Sequence, residues 1–234
     1  MTTKTQNRLL PFVIVTFIYF IVGFLTTVNE QLQAPLKFTF LSDAGSLKNT
    51  LTTMISFFFF LGYLVNGTIA SKWVNRHGYK ATIIRGLLFM ITGLSMYFCS
   101  SFVGDRFPDL GIHFSDVFIP YGFIIFIVGS SAAIIQVVVN PYVASYELGA
   151  TLPVQRLNIT TAINSIGTTT APFFVTLVMF SGISILDVEI SQLLLPIGLL
   201  IVSVLIVTLV TKNLHLPDIA NTRAVDGEKL TRKL

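Results

Sequence analysis

Long stretches without a charged residue alternate with short polar segments along this chain, and their lengths predict its elements. Six stretches lack Asp, Glu, Lys and Arg: Leu9–Val28, Leu51–Ser71, Gly86–Gly104, Val117–Tyr146, Leu157–Leu186 and Ile190–Thr211. Each reaches or nearly reaches the ~20 residues that a helix needs to cross the hydrocarbon core of a bilayer. They exceed the length of a typical strand of a membrane barrel. The pattern predicts an all-α membrane protein with six transmembrane helices, an outer loop at 33–49 and a tight loop at 71–80.

Composition supports this prediction and gives the orientation. Of 234 residues, 53% are hydrophobic and 11% charged, whereas a soluble domain has about 25% charged residues. Twelve of the fifteen Lys and Arg residues lie on one side of the predicted membrane, and only Lys37, Lys48 and Arg106 lie on the other. The basic side is cytoplasmic, so both termini are expected in the cytoplasm. Because the basic residues sort by loop, the net charge of +4 does not indicate nucleic acid.

The first span ends in an unusual pair, Asn29-Glu30. A carboxylate at bilayer depth costs roughly 3 kcal/mol even on lenient insertion scales, so it generally faces a cavity or a partner. One hypothesis makes Glu30 a protonatable group in the water-filled cavity of a solute transporter. The alternative is a glutamate that marks the outer end of the helix at the water interface. Position alone does not separate the two.

The fourth and fifth spans carry amides at helical spacing. Gln136 and Asn140 are four residues apart and therefore share one helix face; they could join helices or line a cavity. The fifth span has a polar stripe composed of Asn158, Thr161, Asn164, Ser165 and Thr168. A threonine can bond its own helix backbone, but Asn164 needs an interhelical partner or a solute. We favour a stripe that faces a solute.

Catalytic and metal-binding motifs are not found. The chain has one cysteine, Cys99, which excludes an intramolecular disulfide and a thiolate metal cluster. It has no phosphate-binding loop, nucleophile elbow or zinc spacing. We therefore expect no enzyme activity, no cofactor and no metal site.

Three stretches resemble a known family. They are Gly23-Phe24 with Asn29-Glu30; Gln136 and Asn140-Pro141-Tyr142-Val143 with Arg156-Leu157-Asn158 and Asn164-Ser165-x-Gly167; and Asn75-Arg76-His77-Gly78-Tyr79-Lys80. Together they resemble the amino-terminal half of a major facilitator superfamily transporter, and more narrowly of the fucose/glucose/galactose proton symporter family. That fold has twelve helices in two halves, each built of two inverted three-helix repeats.

The resemblance implies roles for particular residues. Glu30 is the implied proton-coupling residue, and Asn29, Gln136, Asn140, Thr161 and Asn164 are the implied substrate-binding residues. Asn75, Arg76, Gly78 and Lys80 stand in the cytoplasmic loop motif.

Four positions depart from the family pattern. The loop motif normally has Asp at position 75 and Gly at position 71, where this chain has Asn75 and Ser71. Many relatives have Trp where Val22 stands. Fucose permeases carry an acid where Gln136 stands. An amide does not titrate, so proton coupling in this half falls to Glu30.

The resemblance implies secondary active transport of a hexose by proton symport and alternating access, in the cell inner membrane. Residues 1–212 are predicted to form the six-helix bundle, and residues 213–234 a cytoplasmic tail that resembles the central linker. Because six helices enclose only half a cavity, the expected partners are the sugar, the proton, the bilayer and either a second six-helix half or a second copy of the chain. The alternatives are a truncated or non-transporting membrane scaffold and a carrier of a non-sugar solute.

Overall fold

A computed structural model describes residues 9–39, 42–106, 114–180 and 191–216 of the chain. Its helices are α1 (Leu9–Thr39), α2 (Lys48–Arg106), α3 (Phe114–Ser145), α4 (Pro153–Phe174) and α5 (Ser191–Asn213). A short 3-10 segment, Ser42–Leu47, precedes α2, and a π-helical turn, Val175–Met179, continues α4. Within these ranges the fold is all-helical, as predicted. Five helices account for the described residues, since the second and third predicted spans both lie in α2.

Helix α2 is interrupted at Gly78. Its 59 residues would extend about 88 Å as a straight helix, roughly twice the thickness of a bilayer with its headgroups. Gly78 has φ 78° and ψ 173°, a conformation that residues with a Cβ rarely adopt. The break therefore divides α2 into two parts, 48–77 and 79–106.

The two parts of α2 run in opposite directions along α3. The contacting pairs are Phe58 with Gly122, Tyr63 with Gln136, Gly86 with Ile135, and Gly93 with Val128. Residue numbers rise together in the first two pairs, so the part before Gly78 is parallel to α3. They run oppositely in the last two pairs, so the part after Gly78 is antiparallel to α3. The chain therefore reverses direction at Gly78.

The same reasoning orients the other helices. The contacts between α1 and α4 join Thr16 to Thr160, Tyr19 to Asn164 and Phe24 to Phe174, so these helices are parallel. Lys80 and Phe98 of α2 lie by Lys212 and Gly198 of α5, respectively. The second part of α2 and α5 are thus antiparallel.

Helix α3 is the centre of the bundle, because both parts of α2, α1 and α4 all pack on it. Ile125, Ile135, Val138 and Tyr142 of α3 are almost fully buried. Helix α5 instead exposes a broad apolar surface that includes Leu195 and Leu209. An exposed apolar helix surface is what lipid contact requires.

Two loop boundaries were predicted wrongly. The outer loop was expected to begin at Gln33, but α1 continues to Thr39. The tight loop was expected over 71–80, yet residues 71–77 remain helical and only Gly78 leaves the helical conformation. The predicted tail is largely untested, since residues 217–234 lie outside the described ranges.

Candidate functional site

Asn29 and Glu30 occupy different environments although they are neighbours. The side chain of Asn29 is only 8% exposed, and its Nδ2 has no hydrogen-bond partner within the described part of the chain. The side chain of Glu30 is exposed. Helix α1 continues from Glu30 to Thr39, so Glu30 does not mark the end of its helix. A buried amide donor therefore lies beside an accessible carboxylate.

Gln136 faces α2, where its Nε2 donates a hydrogen bond to the Tyr63 hydroxyl at 3.1 Å. The contact joins α2 to α3. Sequence reasoning missed Tyr63, although a phenol inside an otherwise apolar span is a recognisable signal because a buried tyrosine hydroxyl needs a partner.

Asn140 and Thr161 both have exposed side chains. Asn140 lies one turn beyond Gln136 on α3. Along the chain it stands between Gln136, which contacts Tyr63, and Tyr146, which packs on Phe12. Thr161 follows Thr160, which contacts Thr16 of α1. They are therefore available at the surface of the bundle.

Asn164 instead joins two helices. Its Nδ2 donates a 2.6 Å hydrogen bond to the carbonyl oxygen of Tyr19 on α1. Two of the other four stripe residues bond their own helix: Ser165 donates to the Thr161 carbonyl oxygen and Thr168 to the Ser165 carbonyl oxygen. From the sequence, the amide of Asn164 needed either an interhelical partner or a solute. In the structure, its nitrogen has an interhelical partner.

Arg156 connects the beginning of α4 to the end of α3. Its guanidinium is buried and donates to the carbonyl oxygens of Val143, Ala144 and Thr151. The last carbonyls of a helix have no partner within the helix, and a cation at that end also interacts favourably with the helix dipole. Arg156 therefore fixes the turn between α3 and α4.

The residues of the loop motif lie around the break in α2. Asn75 and Arg76 are exposed, and Gly78 forms the break itself. Lys80 donates from Nζ to the carbonyl oxygen of Lys212, in the last turn of α5, at 2.7 Å. The predicted lysine of the motif thus caps a neighbouring helix.

Residues 9–39, 42–106, 114–180 and 191–216 contain no group of three or more His, Cys, Asp or Glu side chains that could hold a metal ion.

Comparison with known proteins was made by sequence and by fold. No family profile matches the chain. It is 28% identical over 230 residues to a protein named glucose/galactose transporter in two strains of Brucella abortus, covering 97% of this chain and 52% of the relative. The crystal structure of an E. coli fucose:proton symporter variant superposes with a TM-score of 0.67 at 18% identity, covering 92% of this chain and 51% of that one. The chain spans about half the length of the curated relatives it matches.

These likenesses define the class of protein. The helices have the fold of about half of that symporter, and the chain is a multi-pass membrane protein. The resemblance to the fucose/glucose/galactose transporters, first indicated by its motifs, is confirmed. The relatives are named as transporters, which agrees with the expectation that the chain is not an enzyme.

Proposed function

We propose that the chain is the amino-terminal, six-pass half of a carrier that moves a hexose by proton symport in the cell inner membrane. The relative directions of three pairs of helical segments support six passes. The two parts of α2 run in opposite directions from Gly78, α4 is parallel to α1, and α5 is antiparallel to the part of α2 after Gly78. The passes then form two three-helix units of opposite orientation. The distribution of basic residues places both termini in the cytoplasm.

One observation carries the proposed solute site: the unpartnered Nδ2 of buried Asn29 beside the exposed Glu30. An orphaned donor in a membrane protein costs several kcal/mol, and among the described residues nothing compensates for it. A sugar hydroxyl is an acceptor that fits this donor. Glu30 is the next residue on α1, and its exposed side chain is accessible to water.

The other candidate residues extend this site. Asn140 and Thr161 are exposed and offer both donors and acceptors. Gln136 adds an amide held by Tyr63. Asn164 contributes by holding α4 against α1, and its carbonyl oxygen Oδ1 is the group left for the solute.

Proton coupling is assigned to Glu30. Gln136 stands where fucose permeases have an acid, and an amide does not titrate at physiological pH. In the proposed cycle Glu30 accepts a proton from outside, the hexose binds, and alternating access releases both inside. The cytoplasmic loop motif, with Gly78 at the reversal and Lys80 on α5, would accompany the change of access.

A second six-helix unit is needed to close the cavity, because one half exposes the site. Helix α4 has only four buried residues within its described range: Arg156, Thr160, Gly167 and Ala171. The partner is a second half of the kind that the relatives carry in one chain, and a second copy of this chain is the alternative.

Uptake of labelled hexose by proteoliposomes tests the function. Three preparations are compared: the chain alone, the chain with a candidate second half, and the second half alone. The proposal expects gradient-driven accumulation only when both halves are present. Accumulation by the chain alone would favour a homodimer. No hexose uptake in any preparation, with a correctly folded complex, would favour a scaffold or a carrier of another solute.

A further inference from the structure

Tyr63 of α2 contacts an amide of the predicted solute site on α3. Gln136 donates from Nε2 to the Tyr63 hydroxyl at 3.1 Å. This contact was not part of the motif that carries the family resemblance.

The direction of this hydrogen bond follows from its donor. An amide nitrogen can only donate, so the Tyr63 oxygen accepts. The amide oxygen Oε1 of Gln136 takes no part in the contact.

The ring of Tyr63 is held in place by its neighbours. It packs on Phe59 at a centroid distance of 5.3 Å and on Phe60 at 6.3 Å, with tilted geometry in both cases. Since these contacts restrict the ring, the hydroxyl stays opposite α3 and keeps the amide nitrogen of Gln136 turned toward it.

We propose that Tyr63 is a positioning residue that fixes the Gln136 amide so that Oε1 is the group offered to the solute. The inference rests on the proposed function and specifies the chemistry of that site. A fixed acceptor selects solutes that donate a hydroxyl proton at this point. It disfavours a carboxylate, a phosphate or an ether oxygen there, because two acceptors repel each other.

The first experiment observes the side-chain amide signal of Gln136 directly and needs no bound solute. The full chain, in lipid nanodiscs, carries glutamine labelled with 15N in the side chain, and the Gln136 signal is assigned with Gln136→Leu. Tyr63→Phe keeps the ring but removes the acceptor, so it is expected to shift the Gln136 amide signals. The control is Tyr97→Phe, which removes a buried phenol that stacks edge-on against Tyr121 at 5.7 Å and is expected to leave the Gln136 signals unchanged. Unchanged Gln136 signals in Tyr63→Phe would overturn the proposal.

The second experiment measures equilibrium binding of a labelled hexose and its monofluoro analogues to the chain, alone and with its second half. Fluorine cannot donate a hydrogen bond, so one analogue is expected to bind about three- to tenfold more weakly than the hexose. Tyr63→Phe is expected to weaken hexose binding and to reduce that discrimination, whereas Tyr97→Phe changes neither.

The outcomes distinguish a failure of the proposed hexose function from a failure of the proposed positioning of Gln136 by Tyr63. Equal weakening for all sugars in Tyr63→Phe would mean a purely structural role and would contradict the inference. If the wild-type complex binds no hexose while Tyr63→Phe still shifts the Gln136 signals, the hexose function fails and the positioning of Gln136 by Tyr63 is supported.

Discussion

Asn164 of α4 donates a 2.6 Å hydrogen bond from Nδ2 to the main-chain carbonyl oxygen of Tyr19 on α1. Gly23 makes this approach possible, because a Cβ at that position would lie 2.5 Å from the same nitrogen. The contact joins two parallel helices that the sequence separates widely. It gives an amide of the predicted solute stripe a structural role.

Replacing Asn164 should therefore affect stability as well as binding. Asn164→Ala is expected to lower the free energy of unfolding by about 0.5–2 kcal/mol, the range found for interhelical hydrogen bonds in membranes. Unfolding in detergent measures the change. Asn158→Ala is a matched control, because Asn158 is exposed on the same helix and should leave stability nearly unaltered. Equal stability of both variants would show that the Asn164 contact contributes nothing.

Gly167 is the second close approach between α1 and α4. A Cβ there would lie 2.5 Å from the Phe20 carbonyl oxygen and 3.1 Å from the Phe24 amide nitrogen. Gly167→Ala must move one helix and is expected to cost about 1–3 kcal/mol. Gly67→Ala is the control, since a Cβ at Gly67 meets nothing within 4 Å and gains about 0.5–1 kcal/mol of helix stability. Thermal unfolding should move in opposite directions for the two variants; a shift of the same sign would contradict the packing.

Arg156 satisfies three main-chain carbonyl groups at the turn between α3 and α4. Arg156→Ala removes these donors, leaving the Val143 carbonyl oxygen only the 3.4 Å hydrogen bond from the Tyr146 amide, and is expected to lower stability by about 2–4 kcal/mol, since hydrogen bonds to charged groups are among the stronger ones. Arg156→Lys should recover less than half, because one ammonium cannot reproduce the planar fork of a guanidinium. The exposed Arg76→Ala serves as the control. Melting temperatures in detergent that are the same for all three variants would exclude this capping role.

Glu30 is the proposed coupling residue. Glu30→Gln, in the complex with the second half, is expected to abolish hexose accumulation driven by a proton gradient and to preserve exchange of labelled for unlabelled hexose. Glu147→Gln, in the connection between α3 and α4, should retain both activities. Surviving accumulation in Glu30→Gln would assign coupling to another group.

The apolar spans were predictable because each records a local requirement. A helix in lipid must form hydrogen bonds between its own backbone groups and present apolar side chains. Both features depend only on consecutive residues of one segment. The ends of the helices were less predictable: α1 passes Gln33, and α2 passes Ser71 without a loop, because a change from apolar to polar residues does not by itself end a helix. Only Gly78 in the predicted loop has the backbone freedom to reverse the chain.

The sequence by itself determined the membrane class, the apolar spans, the sorting of basic residues and the family to which the motifs point. The tertiary structure decided what each polar side chain contacts. Asn164 and Asn29 are both amides within apolar spans, yet Asn164 reaches a carbonyl on α1 and Asn29 has a donor without a partner in the described structure. The role of Tyr63 was recognised only from the packing of α2 against α3, which brings its hydroxyl to Gln136. A hydrogen bond between helices depends on distances of a few tenths of an ångström across separate segments, and the spacing of residues along one segment does not specify them.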